Sequence, residues 1–238
     1  MNIFTTLRSI LLVVPGYPCP VCGSDQVTGF NSFCGDCVTA LPLISSPRCP
    51  GCGGKLDTPL DLCGKCMRMH RRRIWVSATS VLEFRGIARA LILKFKNGRP
   101  DLARPLGELC RAYLDRDVIE HPEEFIAVPM PLHWARKMSR GYNQSEFFAR
   151  CLLHGTGVRV VNALKRVRYA GHQASRGRRQ RIAAMKGVFT LRKPEMVKGR
   201  KILLIDDIFT TGSTLTAAAE VLRKGAPSEI RIFTIARR

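Results

Sequence analysis

Two adjacent carboxylates, Asp206 and Asp207, stand between an apolar run, Ile202 to Ile205, and a turn of small residues, Thr210-Thr211-Gly212-Ser213-Thr214. A short apolar run of this kind reads as a buried parallel strand. A helix-compatible stretch, Leu215 to Lys224, follows and stops at Gly225. Strand, acidic pair, hydroxylic turn and helix together make a holder for a sugar phosphate. Unpaired N–H groups at a helix N-terminus point at an anion. Gly212 lets the backbone approach closely, and the Thr and Ser hydroxyls add donors. The two aspartates cannot face a phosphate, because like charges repel. They can accept hydrogen bonds from a ribose diol, or lie near a metal bound to the ligand. Both side chains are expected at a strand end, outside the core. No G-x-x-x-x-G-K-[ST] and no G-x-G-x-x-G occurs.

Residues 202–214 resemble the signature of type I phosphoribosyltransferases, which bind phosphoribosyl pyrophosphate (PRPP). The resemblance implies that Asp206 and Asp207 hold the ribose hydroxyls. It implies that Thr210, Thr211, Gly212, Ser213 and Thr214 wrap the 5′-phosphate, with Mg²⁺ accompanying PRPP. Purine-salvage members carry an aspartate where this chain has Thr210, which argues against a purine-salvage enzyme. The fold expected is α/β, a doubly wound, mostly parallel sheet of the type I phosphoribosyltransferase kind.

A second chemistry lies upstream. Eight of the ten cysteines form four C-x-x-C pairs: Cys19/Cys22, Cys34/Cys37, Cys49/Cys52 and Cys63/Cys66. The unit repeats after about thirty residues, an internal duplication. Four thiolates at this spacing suit a tetrahedral Zn²⁺ site. Two structural zinc ions are therefore expected, with consecutive pairs joined, and an interleaved pairing as the alternative. Four cysteines close the coordination sphere, so catalytic zinc is disfavoured. A disulfide framework would need an oxidising compartment. Cys110 and Cys151 stand apart and read as buried thiols.

The elements that must position these groups come next. Val76 to Phe84 has strand character. Phe84, Ile87, Ala88, Leu91, Ile92 and Phe95 then recur at helical spacing, with Arg89, Lys94 and Lys96 off that face. A second helix spans about Leu102 to Leu114. Phe125 to Pro129 reads as a strand ending in Val128-Pro129-Met130-Pro131-Leu132. A basic loop through Arg136, Arg140 and Gln144 leads into a helix, Ser145 to Leu153. In a doubly wound sheet the carboxyl ends of strands form the ligand crevice. This loop and the 206–214 turn are thus expected to face one site, with Arg136 and Arg140 as cations for the pyrophosphate side.

Basic residues dominate elsewhere. The 238-residue chain carries a net charge of +21, which points to a polyanion, nucleic acid before membrane. Two stretches are candidates for nucleic-acid contact. One is the junction Arg71, Arg72 and Arg73, either a solvated linker or a phosphate-contacting strap. The other runs from Lys165 through Arg166, Arg168, Arg176, Arg178 and Arg179 to Arg181. It could close as a lid over the phosphate site or track a nucleic-acid backbone. Residues 1–73 are read as an N-terminal helix, double zinc ribbon and basic linker, and residues 74–238 as the phosphoribosyltransferase-like domain. The apolar run Ile10 to Val14 is too short to span a bilayer, and it lacks a small-residue cleavage site. A cytoplasmic location is expected.

Taken in order, the four cysteine pairs, Leu93-Lys94-Phe95, Val128 to Leu132, Arg140-Gly141-Tyr142-Asn143-Gln144, Gln173 to Phe189 and the 202–214 signature resemble the ComF family. Ala184 and Arg176 depart from that family's usual asparagine and leucine. The resemblance implies a role in DNA uptake, natural transformation or DNA utilisation, binding PRPP and single-stranded DNA. DNA-uptake or helicase proteins are the implied protein partners. The alternative is an active phosphoribosyltransferase with an unidentified acceptor.

Overall fold

The structure, a computed structural model, describes residues 18–25, 32–58, 62–68, 73–114, 118–168 and 187–238. The proposed N-terminal helix, Arg71, Arg72, Arg176, Arg178, Arg179 and Arg181 lie outside the described residues.

Two short helices, α1 (Gly35–Thr39) and α2 (Gly64–Met67), each begin inside a C-x-x-C pair. Strand β1 (Ser77–Glu83) follows, then α3 (Gly86–Lys96), α4 (Ala103–Arg111), β2 (Phe125–Pro129), α5 (Trp134–Arg140) and α6 (Gln144–Leu152). Next come β3 (Arg159–Val160), β4 (Leu164–Arg166), β5 (Phe189–Leu191), α7 (Pro194–Val197), β6 (Lys201–Phe209), α8 (Ser213–Arg223) and β7 (Glu229–Arg237). Five strands make one sheet in the order β1-β7-β6-β2-β3, with every pairing parallel. Strands β4 and β5 form a separate antiparallel pair.

The central strands are apolar on both faces because helices cover both. The pleat sends alternate side chains to opposite sides. Leu203, Ile205, Phe233 and Ile235 share one core with Leu91 and Phe95 of α3, Leu106 of α4 and Phe148 of α6. Ile202, Leu204, Ile230 and Ile232 share the other with Leu215, Ala218 and Leu222 of α8. This is the α/β, doubly wound arrangement expected.

The cysteine-bearing segment is built into the sheet's edge. Ile44 N–H donates to Val81 O, Glu83 N–H to Pro42 O and Ala78 N–H to Pro50 O, so residues 42–50 cover the free side of β1. At Gly53 the backbone has φ +67, and a Cβ there would lie 2.4 Å from Ser80 N. The duplicated units part company at this edge. Cys19, Cys34 and Cys37 join the α3–α4 core, whereas Cys49, Cys52 and Cys66 join the α8 core.

Four expectations are corrected. The acidic pair does not follow the strand, because β6 continues through Asp206 and Asp207 to Phe209, held by register with β7 as far as Arg237. The stretch 134–140 is a helix, not a loop. Lys165 and Arg166 belong to β4, paired with β5, so the basic stretch starts as strand. The left-handed residue after α8 is Ala226, φ 51, not Gly225. Gly225 is small because a Cβ there would lie 2.9 Å from Val197 Cγ1.

Candidate functional site

Strands β2 and β6 leave the sheet side by side. Pro129 pairs with Ile205, and Met130 N–H donates to Ile205 O just beyond. The start of the helix that follows α5 is thereby brought beside the acidic pair. Asn143 caps α6 by accepting from Ser145 N–H at 3.2 Å and donates to Met130 O at 3.1 Å. Tyr142 is buried and donates its hydroxyl to Phe95 O. These bonds fix the start of α6 against β2 and α3, and so aim the next two side chains. Gln144 Nε2 donates to Asp207 Oδ2 at 3.1 Å, and Ser145 Oγ to Asp206 Oδ1 at 3.2 Å.

Asp207 is 5 % exposed and pairs with Lys96 at 2.9 Å. It is thus a buried member of a hydrogen-bonded ion pair, not a strand-end group outside the core. Asp206 is partly buried, and its Oδ1 also accepts from Asp207 N–H at 2.9 Å. Burial pushes the Asp206 carboxyl up to about 7. The neighbouring Asp207 charge adds to the rise, while Lys96 opposes it.

Beyond Phe209 the chain makes the hydroxylic turn. Gly212 takes φ +76, a conformation costly for other residues. A Cβ there would approach the Phe209 ring to 3.1 Å. Thr211 Oγ1 and Ser213 Oγ are 2.9 Å apart. The first-turn N–H groups of α8 have no intrahelical carbonyl, and Gly212 offers no side-chain cap. The turn's carbonyls are held from outside. Arg237 Nη1 donates to Phe209 O at 3.1 Å and Thr210 O at 2.9 Å, and Arg238 N–H donates to Phe209 O. The arrangement suits an anion at the amides and a diol at the carboxylates.

Arg136 and Arg140 stand on α5 and are both partly exposed. Lys165 and Arg168 are exposed on and just after β4, and the Arg166 guanidinium lies 5.8 Å from the Phe189 ring centre. Arg73 is partly buried near the second cysteine cluster. Sequence reasoning missed Lys96, which it set aside as off the apolar face of its helix. It also missed that the Arg140–Gln144 motif braces the acidic pair.

Both cysteine sets converge with consecutive pairing. Cys19, Cys22, Cys34 and Cys37 form one cluster, and Cys49, Cys52, Cys63 and Cys66 the other, each with its sulfurs within 4.8 Å of one another. A Zn–S bond of about 2.3 Å gives a tetrahedral S–S edge of about 3.8 Å. Cys22 and Cys34 sulfurs lie 3.6 Å apart, and Cys52 and Cys63 sulfurs 3.8 Å. Cys63 N–H also points at Cys49 Sγ at 3.3 Å, as backbone donors do around thiolates. The clusters fit two structural zinc ions. Cys110, outside both, is buried in apolar surroundings that push its thiol up.

No described helix is long and apolar enough to cross a membrane.

Known proteins match in the same two parts. Residues 131–238 match the phosphoribosyl transferase domain family, and residues 10–67 the double zinc ribbon domain. Competence protein F of Haemophilus influenzae is 28 % identical over 228 residues, 93 % of this chain and 97 % of its own length. DNA utilization protein YhgH of Salmonella typhimurium is 28 % identical over 239 residues, covering 95 % and 99 %. Competence protein ComFC of Streptococcus pneumoniae is 25 % identical over 208 residues, covering 87 % and 88 %. A double zinc ribbon built onto a phosphoribosyltransferase sheet, in one chain matched nearly end to end by these proteins, places it in the ComF family.

Proposed function

We propose that this protein binds PRPP and single-stranded DNA and serves DNA uptake or utilisation, as the names of its relatives suggest for them. The observation that carries the PRPP half is the pairing of the Asp206–Asp207 carboxylates with the Gly212 turn at the end of one strand. In this reading Asp206 accepts from the ribose diol once it has lost its proton. Asp207 is the less available of the two, since Lys96 and Gln144 already occupy its oxygens. The amides of the 210–214 turn and the hydroxyls of Thr211, Ser213 and Thr214 hold the 5′-phosphate. Arg136 and Arg140, on the helix after β2, are the proposed cations for the pyrophosphate. Mg²⁺ bound with PRPP would neutralise the pyrophosphate charge.

The DNA half rests on the charge of +21 and on the described cations Arg73, Lys165, Arg166 and Arg168. Affinity for single strands should fall steeply with salt, as counterion release demands. The second reading, phosphoribosyl transfer to an unidentified acceptor, is favoured by the intact acidic pair and turn. It predicts pyrophosphate release with some nucleophile.

The test is calorimetric titration of the zinc-loaded protein with PRPP and Mg²⁺, with and without a short single-stranded DNA. Binding in wild type that is lost in Asp206→Asn supports the PRPP site. No PRPP heat under either condition would make the turn a remnant of the fold.

A further inference from the structure

A cavity of about 250 Å³ opens between the second cysteine cluster and the phosphate turn. Its walls come from both parts of the chain. Trp75 and Phe209 supply aromatic surface, meeting edge to face with centroids 6.0 Å apart. Trp75 is pinned by its indole N–H, which donates to Gly51 O at 2.9 Å. Lys65, Arg68, Arg73 and Arg237 bring four cations to the lining, and no carboxylate among the described residues lines it. Thr210 and Thr211 form the side shared with the phosphate turn.

The Arg237 guanidinium is already engaged, by Phe209 O, Thr210 O and the Cys52 sulfur, so the cations left to meet an occupant are Lys65, Arg68 and Arg73. The occupant that fits is anionic or rich in acceptors, and it carries a flat apolar part for the aromatic walls. A nucleotide has both. A dry cavity of roughly 150 Å³ already takes a benzene ring, so the space suffices for a pyrimidine. A duplex hides its base faces by stacking and pairing. An unpaired strand offers them, and aromatic walls beside cations are how single strands are held.

We propose that this cavity seats one base of a single-stranded DNA segment, with the adjoining phosphates held by Lys65, Arg68 and Arg73. The choice of DNA over a free nucleotide rests on the DNA-binding reading above. Bound there, the strand would lie against Thr210 and Thr211, back to back with the proposed 5′-phosphate site.

The experiment uses the full zinc-loaded chain. A short oligothymidylate carrying one 5-iodouracil is bound and photo-crosslinked, and the adduct is mapped by mass spectrometry. The same oligonucleotide with abasic sites and free thymidine monophosphate serve as comparison ligands. The expected result is crosslinking to Trp75 or Phe209, roughly tenfold weaker binding of the abasic strand, and a similar loss in Arg68→Glu. Arg68 is exposed on the surface, so that variant should fold. An oligonucleotide that binds equally well when abasic and crosslinks elsewhere would overturn the cavity assignment and leave the DNA reading standing. No oligonucleotide binding at all would overturn both. Binding of the monophosphate alone would overturn the strand as occupant.

Discussion

Replacing Asp206 with asparagine should stabilise the ligand-free protein at alkaline pH while destroying PRPP binding. The Asp206 carboxyl sits near 7 in the native state against an ordinary 3.8. Below pH 3.8 both native and unfolded chains hold the proton, and the native state suffers no penalty. As pH rises toward 7 the unfolded chain releases its proton while the native one keeps it, so stability falls. Above 7 the loss is complete. At 1.36 kcal/mol for each pH unit of displacement, that loss is up to about 4 kcal/mol. Asparagine keeps the shape, and its Oδ1 can still accept from Ser145 Oγ and Asp207 N–H, as the carboxylate does. It never ionises, so it escapes the loss. Urea unfolding of the two proteins should therefore coincide near pH 4. Near pH 8.5 the variant should be more stable by about 2–4 kcal/mol. Calorimetry should find its PRPP affinity at least tenfold lower at the same pH, since a neutral amide is a weaker acceptor for the diol. A variant less stable than wild type at pH 8.5, or a difference independent of pH, would refute the reasoning.

Other perturbations probe the surroundings. Lys96→Met leaves Asp207 buried without its cation. It should cost about 2–4 kcal/mol, since removing one partner leaves an uncompensated buried charge; urea unfolding at neutral pH measures the loss. Gly53→Ala forces a Cβ to 2.4 Å from Ser80 N at a positive φ. It should destabilise by about 2 kcal/mol or more, read by the same unfolding assay. Stripping zinc with a strong chelator should release two ions per chain and expose Trp75, which is 3 % exposed in the folded protein. Its emission should then shift to the red, while Trp134, already 67 % exposed, contributes little; an unshifted spectrum would mean that the second cluster does not hold the cavity wall in place.

What could be read from the sequence followed from local signals. The run Phe125 to Pro129 is apolar and bounded, and it is β2 with the same limits. The face Ala88, Leu91, Ile92 and Phe95 has helical spacing and is the buried face of α3. The C-x-x-C spacing contains its own geometry, so the metal clusters were foreseeable residue by residue. Long-range consequences were hidden. Asp206 and Asp207 break the apolar run, so β6 looked shorter than its register with β7 makes it. Trp134 to Arg140 has too few turns and too many cations to show a helical face. Lys96 lies on the polar side of α3 by its spacing. Only the placement of that helix's last turn against the end of β6 makes it the partner of Asp207. Residues 42–50 have no alternating pattern, so nothing local announced that they would line the edge of β1.

The position of β7 carries a consequence for how the protein is made. It is the last of the five strands to be synthesised, yet it lies between β1 and β6. Strands β2, β3 and β6 can pair while the ribosome is still extending the chain. Strand β1 cannot join them until residues 229–237 have emerged and slotted in. Until then the cysteine-bearing segment, which needs only its own residues to capture metal, is tethered to half a sheet with an open edge. Assembly thus falls into two stages, an early metal-led one and a late one that waits for the final strand. The cavity walls and the outer bonds of the phosphate turn, both dependent on Arg237, are completed only at the second. A nascent chain arrested before residue 229 should load zinc and still lack every contact between its two ends.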